Sequence, residues 1–413
     1  MNRLKGLKVV LGVTGGIACA KASFVASLLV KAGADVHVIM TESSTKFVTP
    51  LTFQSITGNQ VHSDMFEKPK EWNVEHISLA KMADVFLIAP ATANFIGKVA
   101  NGIADDLLTT TVMATKVPVI IAPAMNDGMY SNRIVQRNIA TLKDLGYLFI
   151  GPESGHLACG SDGKGRMSEP EQIYEFLKHS VIAKNKPSLE KLKVVITSGP
   201  TYEALDPVRF IGNRSSGKMG YALAYAALCR GANVCLISGP CSLAPLPSDI
   251  NVINVESAYE MLEALKIQCK DADIVIGAAA VADYRPYEYS TEKIKKSSSQ
   301  DELSLRLAKN PDVIKEARFS CIEDNKKVFV GFAAETSDLI RNAQKKLEAK
   351  GLDAIMANNV GGKDSPFGSD YNKITLISKN VDQLVIDRTS KSEIAHQIMD
   401  FCIEELNRKM SLN

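Results

Sequence analysis

Four short apolar runs occur twice along the chain in the same order, and this repetition limits the fold more than any single motif does. "KVVLGVTGG" from Lys8 is matched by "KVVITSGPT" from Lys193, and "GADVHVIMT" from Gly33 by "GANVCLISGP" from Gly231. "ADVFLIAPATAN" from Ala83 pairs with "ADIVIGAAAVADY" from Ala272, then "VPVIIAPAMN" from Val117 with "KVFVGFAAET" from Lys327. Each run is rich in β-branched residues and ends in small or turn-forming ones. Stretches long enough for a helix separate them, such as "AKASFVASLLVKAG" and "MGYALAYAALCRG". Continuous apolar strands alternating with helices read as a parallel sheet covered on both faces. The expected fold class is α/β, with two tandem Rossmann-like doubly wound domains related by architecture. The lysine- and proline-containing stretch "VIAKNKPSLEK" places a linker at 181–191, between a first domain over 1–180 and a second over 192–413.

A chain of 413 residues fits two or three domains of about 100–200 residues each. With 46% hydrophobic and 23% charged residues it has the balance of a soluble globular protein. The formal charge of +2, from 48 basic and 46 acidic residues spread along the chain, supplies no electrostatic footprint for nucleic acid or a membrane surface. Small-molecule partners are therefore expected. No run approaches the ~18 apolar residues of a membrane span. "MNRLKGLKVVLGVTGG" passes directly into a strand-and-glycine pattern, so the expected location is the cytoplasm. The eight cysteines contain no C-x-x-C pair and suggest neither a zinc ribbon nor a disulfide framework. Most read as buried, inert thiols; Cys159 stands apart among the polar, glycine-rich neighbours "SGHLACGSDGKGRM".

In doubly wound folds, ligands sit at the carboxyl ends of the strands, where helix N-termini offer free N–H groups. Gly15 and Gly16 in "GVTGGIACAKA" occupy such a position, as a phosphate site or a tight βα turn, without fitting G-x-G-x-x-G. "APATANFIGKVANGIADDLL" offers small and amide-bearing residues where a catalytic triad or metal site would carry charge, which suits a flat polar ligand. In "APAMNDGMYSN", Asn126 stands at a rim where its amide can hold a carboxylate; a plain strand-end turn is the other reading. In the second half, "GNRSSGKMGYA" from Gly212 approaches the phosphate-binding loop G-x-x-x-x-G-K-[S/T]. Met219 has no hydroxyl for magnesium, and the preceding strand ends near Ser198, so a triphosphatase loop is rejected.

"GGIACAKA", "EHISLA", "APATANFIGKVANGIADDLL", "APAMN" and "LACGSDGKGRM" occur in this order across residues 1 to 180. Together they resemble the flavin-dependent phosphopantothenoylcysteine decarboxylases. "SGPTYEALDPVRFIGNRSSGKMGYALA", "GAAAVADYRP", "EKIKK", "KNPDVI", "VGFAAET" and "QKKLEAKGLD", within residues 190 to 405, resemble the phosphopantothenate–cysteine ligases. The two halves thus look like a bifunctional enzyme of coenzyme A synthesis with its domains in the reverse of reaction order.

Decarboxylating a cysteine amide directly would leave a carbanion with no electron sink. The resemblance implies that FMN first oxidises the thiol to a thioaldehyde, so that loss of CO2 gives a stabilised enethiolate, which is then reduced and protonated. It implies His76 as the base assisting oxidation, Asn126 as the holder of the substrate carboxylate and Cys159, on a glycine-rich flap, as the proton donor. Gly15, Gly16, Thr41, Pro90, Ala91, Thr92, Ala93 and Asn94 are the implied FMN contacts. "GGIACAK" departs from the family, whose members commonly carry Ala-Tyr after the isoleucine and alanine; this bears on packing beside the phosphate turn.

For the ligase half, the resemblance implies attack of 4'-phosphopantothenate on the α-phosphate of CTP, giving an acyl-cytidylate and pyrophosphate. The amine of L-cysteine then displaces CMP. Asn213 is the implied catalytic asparagine, and Lys293 in "EKIKK" neutralises charge at the attacked phosphorus. Gly277, Ala278, Ala279, Asp283, Lys293, Pro311, Asp312, Val313, Ile314, Phe332, Lys346 and Lys350 are the implied CTP contacts. Lys346 and Lys350 are four apart in a helical stretch and share a face able to clamp phosphates. Magnesium is expected to enter with the phosphates, and its protein ligands are not readable. The resemblance further implies a homo-oligomer, a dodecamer of decarboxylase trimers and ligase dimers. Two other classes fit less well: a flavin-binding regulatory or scaffold protein, and a nicotinamide oxidoreductase, which calls for G-x-G-x-x-G and an acidic ribose ligand that the sequence does not show convincingly.

Overall fold

The computed structural model describes residues 4–65, 75–156, 160, 162–295, 303–321, 324, 326–335, 338–359, 368–380 and 383–411. The chain divides into two compact units, residues 2–181 with Pro247–Asp249, and residues 182–246 with 250–413.

The first unit is built on six strands: β1 (Lys8–Val13), β2 (Asp35–Met40), β3 (Val61–His62), β4 (Val85–Ala91), β5 (Val119–Pro123) and β6 (Leu148–Phe149). Their order is β3-β2-β1-β4-β5-β6, with every pairing parallel. All seven positions of β4 are buried, which is why its sequence is apolar throughout rather than alternating. Val10, Ile39, Phe86, Ile88 and Ile121 from the sheet pack with Phe95, Ile96, Leu107 and Leu108 from the crossover helices. Strand order reverses between β1 and β4, so the carboxyl ends of these strands open a crevice. A hairpin of β7 (Glu153–His156) and β8 (Asp162–Arg166) follows.

The second unit contains β9 (Lys193–Ser198), β10 (Tyr202–Ala204), β11 (Phe210–Gly212), β12 (Asn233–Ser238), β13 (Asn251–Asn254), β14 (Ile274–Gly277), β15 (Tyr284–Pro286) and β16 (Leu307–Lys309). It continues through β17 (Val328–Glu335), β18 (Ala354–Asn359), β19 (Tyr371–Ser378) and β20 (Leu384–Ser390). Eight of these form one sheet in the order β13-β12-β9-β14-β17-β18-β19-β20. It is parallel as far as β18 and antiparallel from β18 to β20. The α/β, doubly wound expectation holds for both halves, and the antiparallel extension adds to it. Val195, Ile237, Met261, Leu262, Val275, Phe329 and Ile355 are among the residues of its core. The ribbons β10–β11 and β15–β16 stand apart from the main sheet.

Helix 170–183 continues through Ala183, so the stretch read as a linker begins inside its last turn.

Candidate active sites in the two units

In the first unit, three strand ends deliver the implied flavin residues. Thr14, just beyond β1, is buried; its hydroxyl donates to the carbonyl of Pro90 at 2.8 Å and accepts from the N–H of Thr92 at 3.0 Å. This bridge ties the turn carrying Gly15 and Gly16 to the end of β4. Gly15 itself passes so close to Ser43 that a Cβ would overlap the serine side chain. Thr41 follows β2 and its hydroxyl accepts from the N–H of Ser44, while Thr92 accepts from Phe95 at the start of helix Ala93–Ala100. Pro90 and Ala91 are the last residues of β4, and Ala93 and the exposed Asn94 open the helix that follows. Hydroxyls, an amide and helix starts without a carboxylate among these residues suit a neutral ring system and a phosphate.

Asn126 caps the helix after β5: its Oδ1 accepts from the N–H of Gly128 at 2.9 Å and of Met129 at 3.3 Å, and its amide donates to Asp127 at 2.8 Å. β8 braces this turn. Met125 N–H donates to the carbonyl of Gly165 at 3.0 Å; a Cβ on Gly165 would overlap the Met125 carbonyl oxygen, and one on Gly163 would stand 2.6 Å from Cβ of Asp127. Gly163 and Gly165 thus have a packing reason, where the sequence had suggested a mobile flap; Gly160, with a φ of 85°, has open space around it. Cys159 itself lies outside the described residues. His76 is half-buried on helix Glu75–Met82, whose Glu75 meets the imidazole of His62.

In the second unit, one open cleft of about 600 Å3 gathers most of the implied ligase residues: Asn213, Gly277 to Ala279, Asp283, Pro311 to Ile314, Phe332, Lys346 and Lys350. A ligand of nucleotide size fits such a volume. The glycine-rich loop enters it after β11. Gly217 holds a φ of 75°, a left-handed conformation that favours glycine, and the helix Lys218–Leu228 starts at once. The amide of Asn213 donates to the carbonyl of Val281 at 2.8 Å, fixing the loop to the end of β14. That segment is tied down in turn by Ala278 N–H to Thr197 O at 3.2 Å and Ala282 N–H to Thr201 Oγ1 at 3.0 Å. Asp312 caps helix Val313–Ser320 and pairs with Lys350 at 3.0 Å; Lys346 pairs with Glu335 at 2.7 Å. Both lysines line the cleft, each paired with a carboxylate.

Lys293 is not brought to this cleft. It is exposed on a segment whose neighbour Ile294 donates its N–H to Asp206 at 3.0 Å. Burial pushes the Asp206 carboxyl up, but Arg209 and the N–H groups of Val208, Ile294 and Arg209 outweigh it and hold the group well below the usual carboxylate range. Cleft residues not singled out from the sequence include Lys218, Asn310, Asn358, Asn372 and Lys391. Lys218 stood inside the quoted glycine loop and Asn310 inside "KNPDVI"; Asn358, Asn372 and Lys391 are single polar residues at strand and helix ends, with no local pattern to mark them.

Fold and sites therefore define a chain with a flavoprotein-type unit followed by a nucleotide-cleft unit. The family model described as Flavoprotein matches residues 1–182, and that of the DNA/pantothenate metabolism flavoprotein C-terminal domain matches residues 189–406. The chain is 47% identical over 398 residues to Coenzyme A biosynthesis bifunctional protein CoaBC of Bacillus subtilis (strain 168), covering 96% of each. To the protein of the same name from Haemophilus influenzae (strain ATCC 51907 / DSM 11121 / KW20 / Rd) it is 46% identical over 408 residues, 99% of this chain and 100% of the relative. Among solved structures, the C-terminal domain of Coenzyme A biosynthesis bifunctional protein CoaBC is 36% identical, covering 52% of this chain and 97% of its own, with a TM-score of 0.44. The chain belongs to the family of bifunctional coenzyme A biosynthesis proteins, the decarboxylase–ligase family whose motifs it carries. The expectation of a two-activity enzyme is borne out at that level, and its first half is of the flavoprotein family.

Proposed function

We propose that residues 192–413 join 4'-phosphopantothenate to L-cysteine at the expense of CTP, and that residues 1–180 decarboxylate the product to 4'-phosphopantetheine. The observation that carries this is the cleft in which Asn213, Asp283, Pro311 to Ile314, Phe332, Lys346 and Lys350 converge. A carboxylate has too poor a leaving group for amide formation, so cytidylyl transfer activates it and CMP leaves. Lys346 and Lys350 exchange Glu335 and Asp312 for phosphate oxygens, and magnesium enters with the triphosphate. Asn213, already anchored to Val281, positions the activated acyl group, and Lys293 comes in from its exposed segment to neutralise charge at the attacked phosphorus.

In the first unit Gly15, Gly16, Thr41 and Pro90 to Asn94 would hold FMN, which when bound takes up and returns an electron pair. His76 removes a proton from the substrate, Asn126 orients its carboxylate, and Cys159 returns a proton. Exposed apolar side chains on this unit, Ile17, Phe24 and Leu51 among them, are surface that another copy can cover; the assembly proposed on the family resemblance is a dodecamer of decarboxylase trimers and ligase dimers in the cytoplasm. The test is product analysis by mass spectrometry with CTP, 4'-phosphopantothenate and cysteine. Cys159→Ser is expected to spare ligation and stop the appearance of 4'-phosphopantetheine; an unchanged yield of that aminothiol contradicts the role given to Cys159.

A further inference from the structure

Lys391 also lines the ligase cleft, and its position is an unusual one for a lysine. It is 8% exposed, at the first residue of the helix Lys391–Ser411. That is the end of a helix where the peptide dipoles place positive partial charge and where cations are disfavoured. A second cation stands near it. Lys218 is the first residue of its own helix, lines the same cleft, and donates to Asp370 at 2.6 Å and to the carbonyl of Gly368 at 2.9 Å. Two lysines and two helix starts thus meet in this part of the cleft, with Asp370 engaged by Lys218. Asn358 at the end of β18 and Asn372 near the start of β19, 9% and 8% exposed, line the cleft as well and supply uncharged amides.

We propose that Lys391, with Lys218 beside it, binds a phosphate group in the cleft, in addition to the phosphate contacts of Lys346 and Lys350. Burial and the charge of Lys218 push the Lys391 ammonium down to about 8, against the opposing pull of Asp370. An incoming phosphate opposes both effects, because it adds charge-assisted hydrogen bonds and offsets the neighbouring cation. The phosphate has two sources under the function proposed above, on which this inference rests: the triphosphate of CTP or the phosphate monoester of 4'-phosphopantothenate.

The experiment compares Lys391→Met, Lys391→Arg and Lys218→Met with the unaltered full-length protein. It measures CTP binding by calorimetry, thermal unfolding, and the Michaelis constant of the acyl substrate, 4'-phosphopantothenate, from the rate of pyrophosphate release. Loss of a charged hydrogen bond to phosphate weakens the ligand involved by roughly tenfold or more, and Lys391→Arg restores most of that loss. A fall confined to CTP affinity assigns the site to the triphosphate; a rise confined to the Michaelis constant of the acyl substrate assigns it to the monoester. If Lys391→Met does not fold, Lys218→Met decides by the same readouts. The proposal is overturned if the folded variants keep both ligands within about twofold of the unaltered protein, or if Lys391→Arg is as impaired as Lys391→Met. Should the unaltered protein release no pyrophosphate from the three substrates, it is the proposed function that fails, which this design keeps distinct.

Discussion

Gly165 carries no chemistry, yet the Asn126 turn depends on it. Its α-carbon rests against the Met125 carbonyl while its own carbonyl accepts the Met125 N–H, so the turn and β8 hold one another. Gly165→Ala forces backbone against backbone, where no flexible side chain can yield. We expect it to cost about 1–3 kcal/mol, the range of overpacking. Thermal unfolding should report that loss, with decarboxylation falling more than tenfold and pyrophosphate release by the ligase half unchanged, as products assayed separately would show. From the sequence, this glycine looked like part of a mobile flap, because a glycine's letter is the same whether it permits motion or close packing. Lys391 was missed for a related reason. A lysine in front of a helical run looks like a solvated surface residue until Asn358 of β18, Asn372 of β19 and Lys218 are seen to line the same cleft with it.

The segment bearing Lys293 is controlled by an element distant from it in the chain. Asp206 takes N–H groups from Val208, Arg209 and Ile294 and both ends of the Arg209 guanidinium fork, joining the β10–β11 ribbon to residues 291–295. Asp206→Asn should increase amide hydrogen exchange at 291–295 and lower the ligation rate several-fold; exchange unchanged from the parent would contradict this link. Because the folded carboxyl is held below its ordinary value, its contribution is complete above about pH 4 and lost as pH falls through the folded value. The unaltered protein should therefore loosen at 291–295 only in acid. A second joint is Arg230, whose guanidinium meets Asp400 at 2.8 Å and the carbonyl and ring of His396, docking the C-terminal helix. Its side chain is almost wholly buried, so Arg230→Met removes the donors to the His396 carbonyl and to Asp400, which keeps Lys186, and should destabilise this unit by about 1–3 kcal/mol in denaturant unfolding, the scale of losing a buried charged hydrogen-bond donor. Eight of the main strands, β1, β2, β4 and β5 with β9, β12, β14 and β17, were legible as apolar runs because both their faces are covered. β19 and β20 were not: they extend an edge, their burial is uneven, and antiparallel pairing needs no crossover helix to announce it.

At the scale of the whole molecule, the two units share a sheet plan but differ in what their strand ends present. Those of the first unit offer hydroxyls and amides; the cleft of the second carries Lys218, Lys346 and Lys350, each paired with a carboxylate. Under the proposed function each would supply electron demand to an otherwise unreactive carboxyl group, the first by holding a flavin and the second by holding the nucleotide that activates it. The motif-bearing halves were legible because both chemistries impose long runs of small residues at strand ends. How the charges pair around the cleft was not, since it depends on contacts between elements far apart in sequence. The central claim is that one polypeptide performs both steps in succession. The most direct measurement supplies the full-length protein with CTP, 4'-phosphopantothenate and carboxyl-labelled cysteine, and counts pyrophosphate and labelled CO2 together. Equal amounts of the two, each dependent on all three substrates, are the predicted result. Labelled CO2 without pyrophosphate, or neither product from a folded, flavin-loaded protein, would contradict it.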